Sequence, residues 1–224
     1  VDTPPSGVED ALPFGLRGVG SANPPPAKRK AAGIFGGLQT METENQEQTK
    51  PRIYVASLAD YNAGRLIGKW IDATQEAQAI HEEIAELLKQ SQEPIAEEWA
   101  IHDYEGFSGV DIGEYSDIES VAEAATLVVE HGPVFAKLVD HLGGLSQIAE
   151  AKRYMEDGCH GVYDKLEHYV MELVEDCYSD CLQNLPDFIR LNIDYEGIAR
   201  DMELGGDVFT IEHDHKVHVF DANV

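Results

Sequence analysis

Basic side chains are scarce in this chain. Its 224 residues hold 16 Lys+Arg against 42 Asp+Glu, a formal net charge of −26 and a pI near 4.4. Phosphate contacts depend on clustered Lys and Arg, so the deficit argues against nucleic acid as a direct partner. Long apolar runs are also missing. Nothing approaches 18 consecutive apolar residues, and the cleanest stretch, Ala124 to Val129, is interrupted by Thr126. That excludes a membrane-spanning helix. Cysteine is limited to Cys159, Cys177 and Cys181. An odd count with no secretion signal points to reduced thiols and a cytoplasmic setting.

Catalytic spacings are absent as well. Gly64-Arg65-Leu66-Ile67-Gly68-Lys69-Trp70 places three residues between its glycines where a phosphate loop needs four. Trp70 also stands where a Mg²⁺-binding hydroxyl belongs. His81-Glu82-Glu83 lacks the second histidine of a helical zinc-protease motif, and there is no nucleophile elbow or calcium loop. His213, His215 and His218 with Asp214 are the nearest approach to a metal set, because alternate strand positions share a face. No cysteine or carboxylate group at ligand spacing completes it, so the segment reads as a polar hairpin turn. Residues 51–224 contain 36 acids, so adjacent carboxylates arise by chance and nominate no acid/base pair. Neither catalysis nor a cofactor or metal is expected.

Hydrophobic residues, at 43%, are enough for a packed core. Residues 1–40 hold 7 Gly and 6 Pro and no hydrophobic period, which marks residues 1–50 as a flexible, disordered extension. Its Lys28-Arg29-Lys30 run precedes a Gly-rich stretch and is followed by no cleavage site, so it is not a signal peptide. Met41, just before the first strand-like segment, is the expected natural start. Without residues 1–50 the net charge is still −25, so the acid belongs to the folded part.

From residue 51 the patterning predicts an α+β chain in three small domains. In residues 51–112, strands are expected at Ile53–Leu58, Arg65–Ile71 and Trp99–Tyr104, with a turn-like loop at Asp60–Gly64 and a helix over 75–91. Residues 113–157 read as helical, broken at Gly132-Pro133 and Gly143-Gly144. Ser116, with Glu119 three residues on, has the form of a helix cap. Ile118, Val121, Ala122, Ala125, Val128 and Val129 form the apolar stripe that follows. Residues 158–224 return to mixed structure. An amphipathic helix over Asp164–Tyr178 turns Leu166, Val170, Leu173, Val174 and Cys177 inward. Helical stretches follow after Pro186 and over Ile193–Leu204, and a hairpin pairs Val208–Glu212 with Val217–Phe220.

The acid suits a solvated surface, as in proteins of saline cytoplasm, or a basic partner. The 6 lysines of residues 51–224 are more than strong haloadaptation leaves. Duplex DNA carries one charge per about 1.7 Å of axis. Carboxylates on one helix face stand about 5–6 Å apart, so several helices side by side are needed to approach that density. Two chains would carry 72 acids in their folded parts, equivalent at most to about 120 Å of duplex.

Ile53-Tyr54-Val55-Ala56-Ser57-Leu58, with Tyr61-Asn62-Ala63-Gly64 and Gly68-Lys69-Trp70, resembles the opening of the ArdA antirestriction family. Ala100 to Glu105, Gly161 to Glu167 and Asn192 to Phe209 are similar to its later blocks, in family order. The resemblance implies a cytoplasmic protein of mobile elements that mimics bent B-form DNA. By that likeness it is an elongated homodimer, joined through the C-terminal part, that competitively occupies the DNA-binding groove in the methyltransferase core of type I restriction–modification enzymes. The protein-binding surface is then expected on outward carboxylates: Glu76, Glu82, Glu83 and Glu86; Asp117, Glu119, Glu123 and Glu130; and Asp164, Glu167, Glu172 and Glu175. Arg200 is expected to pair with a neighbouring carboxylate, and Tyr54, Trp70, Trp99 and Tyr195 to be core aromatics. The alternative is a general acidic binding protein, a decoy for basic host DNA-binding proteins.

Overall fold

The structure, a computed structural model, describes residues 49–224. The predicted extension, with its basic run and Met41, lies outside the described residues except for Thr49 and Lys50. The described part is α+β, with helices packed on two small antiparallel sheets.

The first sheet has the order β2-β1-β3, from β1 (Arg52–Ser57), β2 (Gly68–Asp72) and β3 (Trp99–Glu105). Ile53, Val55 and Ile71 leave this sheet on one face, where α2 (Ala77–Leu88) covers them with Ile80, Ile84 and Leu87. Those three recur at helical spacing, so one stripe is removed from water while the other side stays polar. Between β1 and β2 the expected loop is instead a short helix, α1 (Leu58–Asn62). Ser57 makes the difference: its hydroxyl accepts from the Asp60 N–H and so starts the turn. The second strand is correspondingly shorter than expected, beginning at Gly68.

Asp60 in α1 is fully buried and surrounded by donors. The Ser57 hydroxyl donates at 2.8 Å, Arg65 Nε and an Arg65 terminal nitrogen at 3.3 and 3.2 Å, and the Gln92 N–H at 3.4 Å. Ser91 donates to the same oxygen as Ser57, Oδ2, the Arg65 and Gln92 bonds being to Oδ1, and Arg65 also pairs with Glu93. The Ser91 hydrogen bond leads the causes that hold this carboxyl below its ordinary value. One side chain thereby ties α1 to the segment that follows α2.

The middle helices are α3 (Ile118–His131), α4 (Pro133–Leu142) and α5 (Ile148–Arg153), with a single 3₁₀ turn at Leu145–Gln147 and a π turn at Tyr154–Gly158. The breaks fall where expected: Gly132 takes φ 66° before Pro133 at the first helical position, and Gly143 ends α4 in the left-handed region. The cap of α3 is Asp117, not Ser116. Its carboxylate accepts from the Ser120 N–H at 3.0 Å, whereas the Ser116 hydroxyl accepts from the Gly113 N–H. The buried stripe also differs. Val129 is exposed, and Ala124 and Leu127 point inward because α3 is covered from more than one side.

The second sheet, of order β4-β6-β5, contains β4 (Cys159–Tyr163), a strand that the mixed pattern after Cys159 does not announce. The hairpin of β5 (Val208–His213) and β6 (Lys216–Asp221) follows the expected register, with Phe209 opposite Phe220. Both faces are covered. Phe209, Ile211 and Phe220 join the core of the middle helices, while Val208, Val217 and Val219 pack under α6 (Leu166–Gln183) and α8 (Tyr195–Gly205). The helix after Pro186 is only one turn, α7 (Asp187–Arg190). Cys177 is exposed, contrary to the inward placement expected. Alpha6 bends at Tyr178, and beyond Val174 its inward stripe has no layer to bury against.

Tyr54 and Trp70 are half-buried partners on the open face of the first sheet, with Arg52 stacked 4.6 Å from the Trp70 ring. Trp99 and Tyr195 are half-buried against the cores. The principal contacts run in chain order: first sheet, α2, α3, α4 and α5, second sheet, then α6 and α8.

The hairpin turn places Asp214 at φ 49° and His215 at φ 59°. Left-handed backbone costs an L-residue about 1–2 kcal/mol, least for Asp and Asn. Gly at the second position is the preferred solution for this turn. Substituting His215→Gly is expected to stabilise the fold by about 1 kcal/mol, raising Tm by about 3 °C in a thermal melt.

Candidate functional site

The exposed acid is distributed over every layer, and most of the described bases stand beside a carboxylate. Lys50 pairs with Asp72, Arg52 with Glu105, Lys69 with Glu83, Lys152 with Glu123, Lys165 with Glu167, Arg190 with Asp187 and Lys216 with Asp164. Lys137 donates to the Glu212 carbonyl at 2.6 Å and Arg153 to a Val224 oxygen at 2.8 Å. Arg200 stands 3.9 Å from Asp201, its expected neighbour. Exposed pairs of this kind add only about 0–1 kcal/mol each. Their larger effect is on the field: with most of the bases paired locally, the unpaired outward charge is predominantly negative.

The twelve predicted carboxylates divide by what holds them. On α2, Glu76, Glu82 and Glu86 are exposed, and Glu82 accepts from Gln78 within its own helix. Glu83 is half-buried between Lys69 and Gln75, and the Lys69 hydrogen bond, the largest cause, holds its carboxyl below the ordinary value. Asp117 is occupied as the α3 cap, and the Ser120 N–H lowers its pKa first of all. Glu119 reaches His81 at 3.4 Å, which brings the acidic faces of α2 and α3 side by side. Glu123 is half-buried with Lys152, and Glu130 is exposed 3.9 Å from His131. Near α6, Asp164 is exposed beside Lys216, which by its hydrogen bond lowers the Asp164 pKa, and Glu167 is half-buried between Lys165 and His168. Glu172 and Glu175 are exposed on α6.

Other outward acids were not singled out from the sequence. Glu98, Asp103, Asp111 and Glu114 surround β3, and Glu196, Asp201 and Glu203 lie on α8. Strand edges and loops have no helical period to mark an outer face, so alternation along β3 was the one available signal.

No group of three or more His, Cys, Asp or Glu among the described residues could hold a metal ion. His215 sits in the turn itself, and burial, ahead of nearby His213, pushes the pKa of His218 down. No helix of the described residues is long and apolar enough to cross a membrane. A family model described as "Antirestriction protein (ArdA)" matches residues 53–217. No curated protein matches the chain.

Proposed function

The chain belongs to the ArdA antirestriction family, and on that premise we propose that it acts as a DNA mimic against type I restriction–modification enzymes. Antirestriction function, and with it interaction with restriction enzymes, comes with the family. The mimicry, the enzyme type and the arrangement below are our reading. The observation that carries it is the division of charge: most of the described bases pair with a carboxylate, while among the described residues outward carboxylates without a lysine or arginine partner remain on α2, α3 and α6.

In this reading residues 51–112, 113–157 and 158–224 act as successive units of an elongated cytoplasmic rod. The serial order of contacts supports it. Two chains join through the C-terminal part, where Phe188, Leu191 and Leu204 are exposed and supply apolar surface. The rod's negative field steers it into the basic groove of the methyltransferase core, which it fills without bases to read or bonds to cut. Inhibition is competitive exclusion, not catalysis.

The test is to titrate the protein into a type I methyltransferase core bound to labelled cognate duplex. Stoichiometric release of duplex, by an inhibitor that migrates as a dimer and holds no nucleic acid, is the expected result. A folded protein that leaves the duplex bound, yet retains basic nucleoid proteins broadly, would replace mimicry by the decoy reading. Inhibition is also expected to weaken steadily as salt rises, because the Debye length falls from about 10 Å at 0.1 M to about 3 Å at 1 M. Inhibition unaffected by salt would point to apolar contact instead.

A further inference from the structure

On one side of the first sheet the acid is joined by aromatic rings, Tyr61 exposed and His102 and Tyr104 half-buried, and the two line a groove of about 450 Å³. The groove runs along β3, an edge strand of its sheet. Register shifts along this strand: Val55 faces Ile101 and Tyr54 faces Asp103, so His102 is an extra, bulged residue. A bulge bends the strand and re-aims its side chain. Here the His102 ring meets Tyr61 edge-on, 4.9 Å between centroids, and Tyr61 is 56% exposed at the end of α1. Glu114 closes the groove from the far side, anchored by its carbonyl, which accepts from the Ile101 N–H at 2.9 Å. Tyr104 forms part of the wall, its hydroxyl held by Asp111 at 2.9 Å.

Charge separates this side of the domain from the rest. Lys50, Arg52, Arg65 and Lys69 are each committed to carboxylates elsewhere in the domain. Among the described residues no lysine or arginine pairs with Asp103 or Glu114. An aromatic face attracts a cation through its quadrupole, and a carboxylate beside it accepts a guanidinium in two-pronged fashion. A plain charge display needs neither the rings nor the bulge that positions one of them.

We propose that the Tyr61–His102–Glu114 groove is a receptor for one arginine side chain of the partner protein, the guanidinium resting on Tyr61 and paired with Glu114. The proposal rests on the mimic reading and deepens it. It adds a localised anchor to an otherwise distributed surface, as protein interfaces concentrate affinity at Tyr and Arg contacts.

Two measurements on the full chain test it. The first titrates a tri-arginine peptide and follows the ring protons of His102, with His215 as the surface reference. A saturable shift at His102, lost in Tyr61→Ala and Glu114→Gln but kept in Tyr61→Phe, is expected. Equal, unsaturated shifts at both histidines would reduce the groove to general attraction and overturn the proposal. Saturation that appears only after Lys28, Arg29 and Lys30 are replaced by Ala would assign the groove to the chain's own basic run, and would also overturn it. The second compares displacement of duplex from the methyltransferase core. Tyr61→Ala is expected to weaken it about tenfold with Tyr61→Phe near wild type. Wild-type displacement unaltered by Tyr61→Ala would overturn the anchor and leave mimicry standing. Saturable peptide binding by a wild type that displaces no duplex would support the groove while removing the restriction enzyme as its partner.

Discussion

Replacing Asp60 by Ala is expected to lower the melting temperature by about 10 °C, the scale of breaking a buried ion pair in a domain of this size. The carboxylate is fully buried and accepts from Ser57, Arg65, Ser91 and the Gln92 N–H. Its loss leaves those donors facing one another, and an unsatisfied buried donor costs more than a hydrogen bond contributes. The effect depends on pH in a definite direction. The folded-state pKa lies below the ordinary 3.8, with the Ser91 hydrogen bond the first cause. Between the folded and unfolded values the unfolded chain binds more protons, so stability rises with pH there. The contribution is therefore complete above the unfolded value and lost as pH falls through the folded one. Thermal melts of wild type and Asp60→Asn from pH 7 to pH 2 should converge below about pH 4. A gap that stayed constant over that range would mean that folding leaves the proton affinity of this carboxyl unchanged, which would overturn the lowered value.

The second large effect concerns inhibition. Converting Glu76, Glu82, Glu86, Glu119, Glu130 and Glu175 together to Gln is expected to weaken inhibition about a hundredfold, since exposed charges contribute about 0–1 kcal/mol each. Any one of the six alone should change it by less than about fivefold. None of them pairs with a lysine or arginine among the described residues, so the melting temperature should hold or rise slightly as like-charge repulsion is relieved. Inhibition assays on the single variants and the sixfold variant, each with a melt, separate lost charge from lost fold. A single substitution that abolished inhibition with the fold intact would sink the distributed display, and so would a sixfold variant as active as wild type.

Where local chemistry decides an element, the sequence was readable. Gly132-Pro133 and Gly143-Gly144 end helices because of their own backbone preferences, and the hairpin over Val208–Phe220 follows from alternation alone. Ser57 and Asp117 show where such reading slips. Ser57 caps a helix where a strand end and a loop were expected, and Asp117 caps α3 one residue from the expected Ser116, because a cap is chosen by which side chain can reach the second or third N–H. Beta4 was hidden because its edge pairing to β6 joins residues more than fifty positions apart. Cys177 lies on a helical stripe yet faces solvent, since the stripe extends past the sheet that buries its first half.

By itself the sequence determined that the acid belongs to the folded part, that acidic residues far outnumber basic ones, and which family's blocks are present in order. Those are properties of composition and of residues close in the chain. Only the tertiary structure decided which carboxylates are occupied. Glu83 is claimed by Lys69, Glu123 by Lys152 and Asp164 by Lys216, while Glu76, Glu86 and Glu175 stay outward on helices of the same pattern. Periodicity reports which side of one helix faces the core. Ion pairing needs two groups within about 4 Å across different elements, and that distance exists only once the layers have stacked.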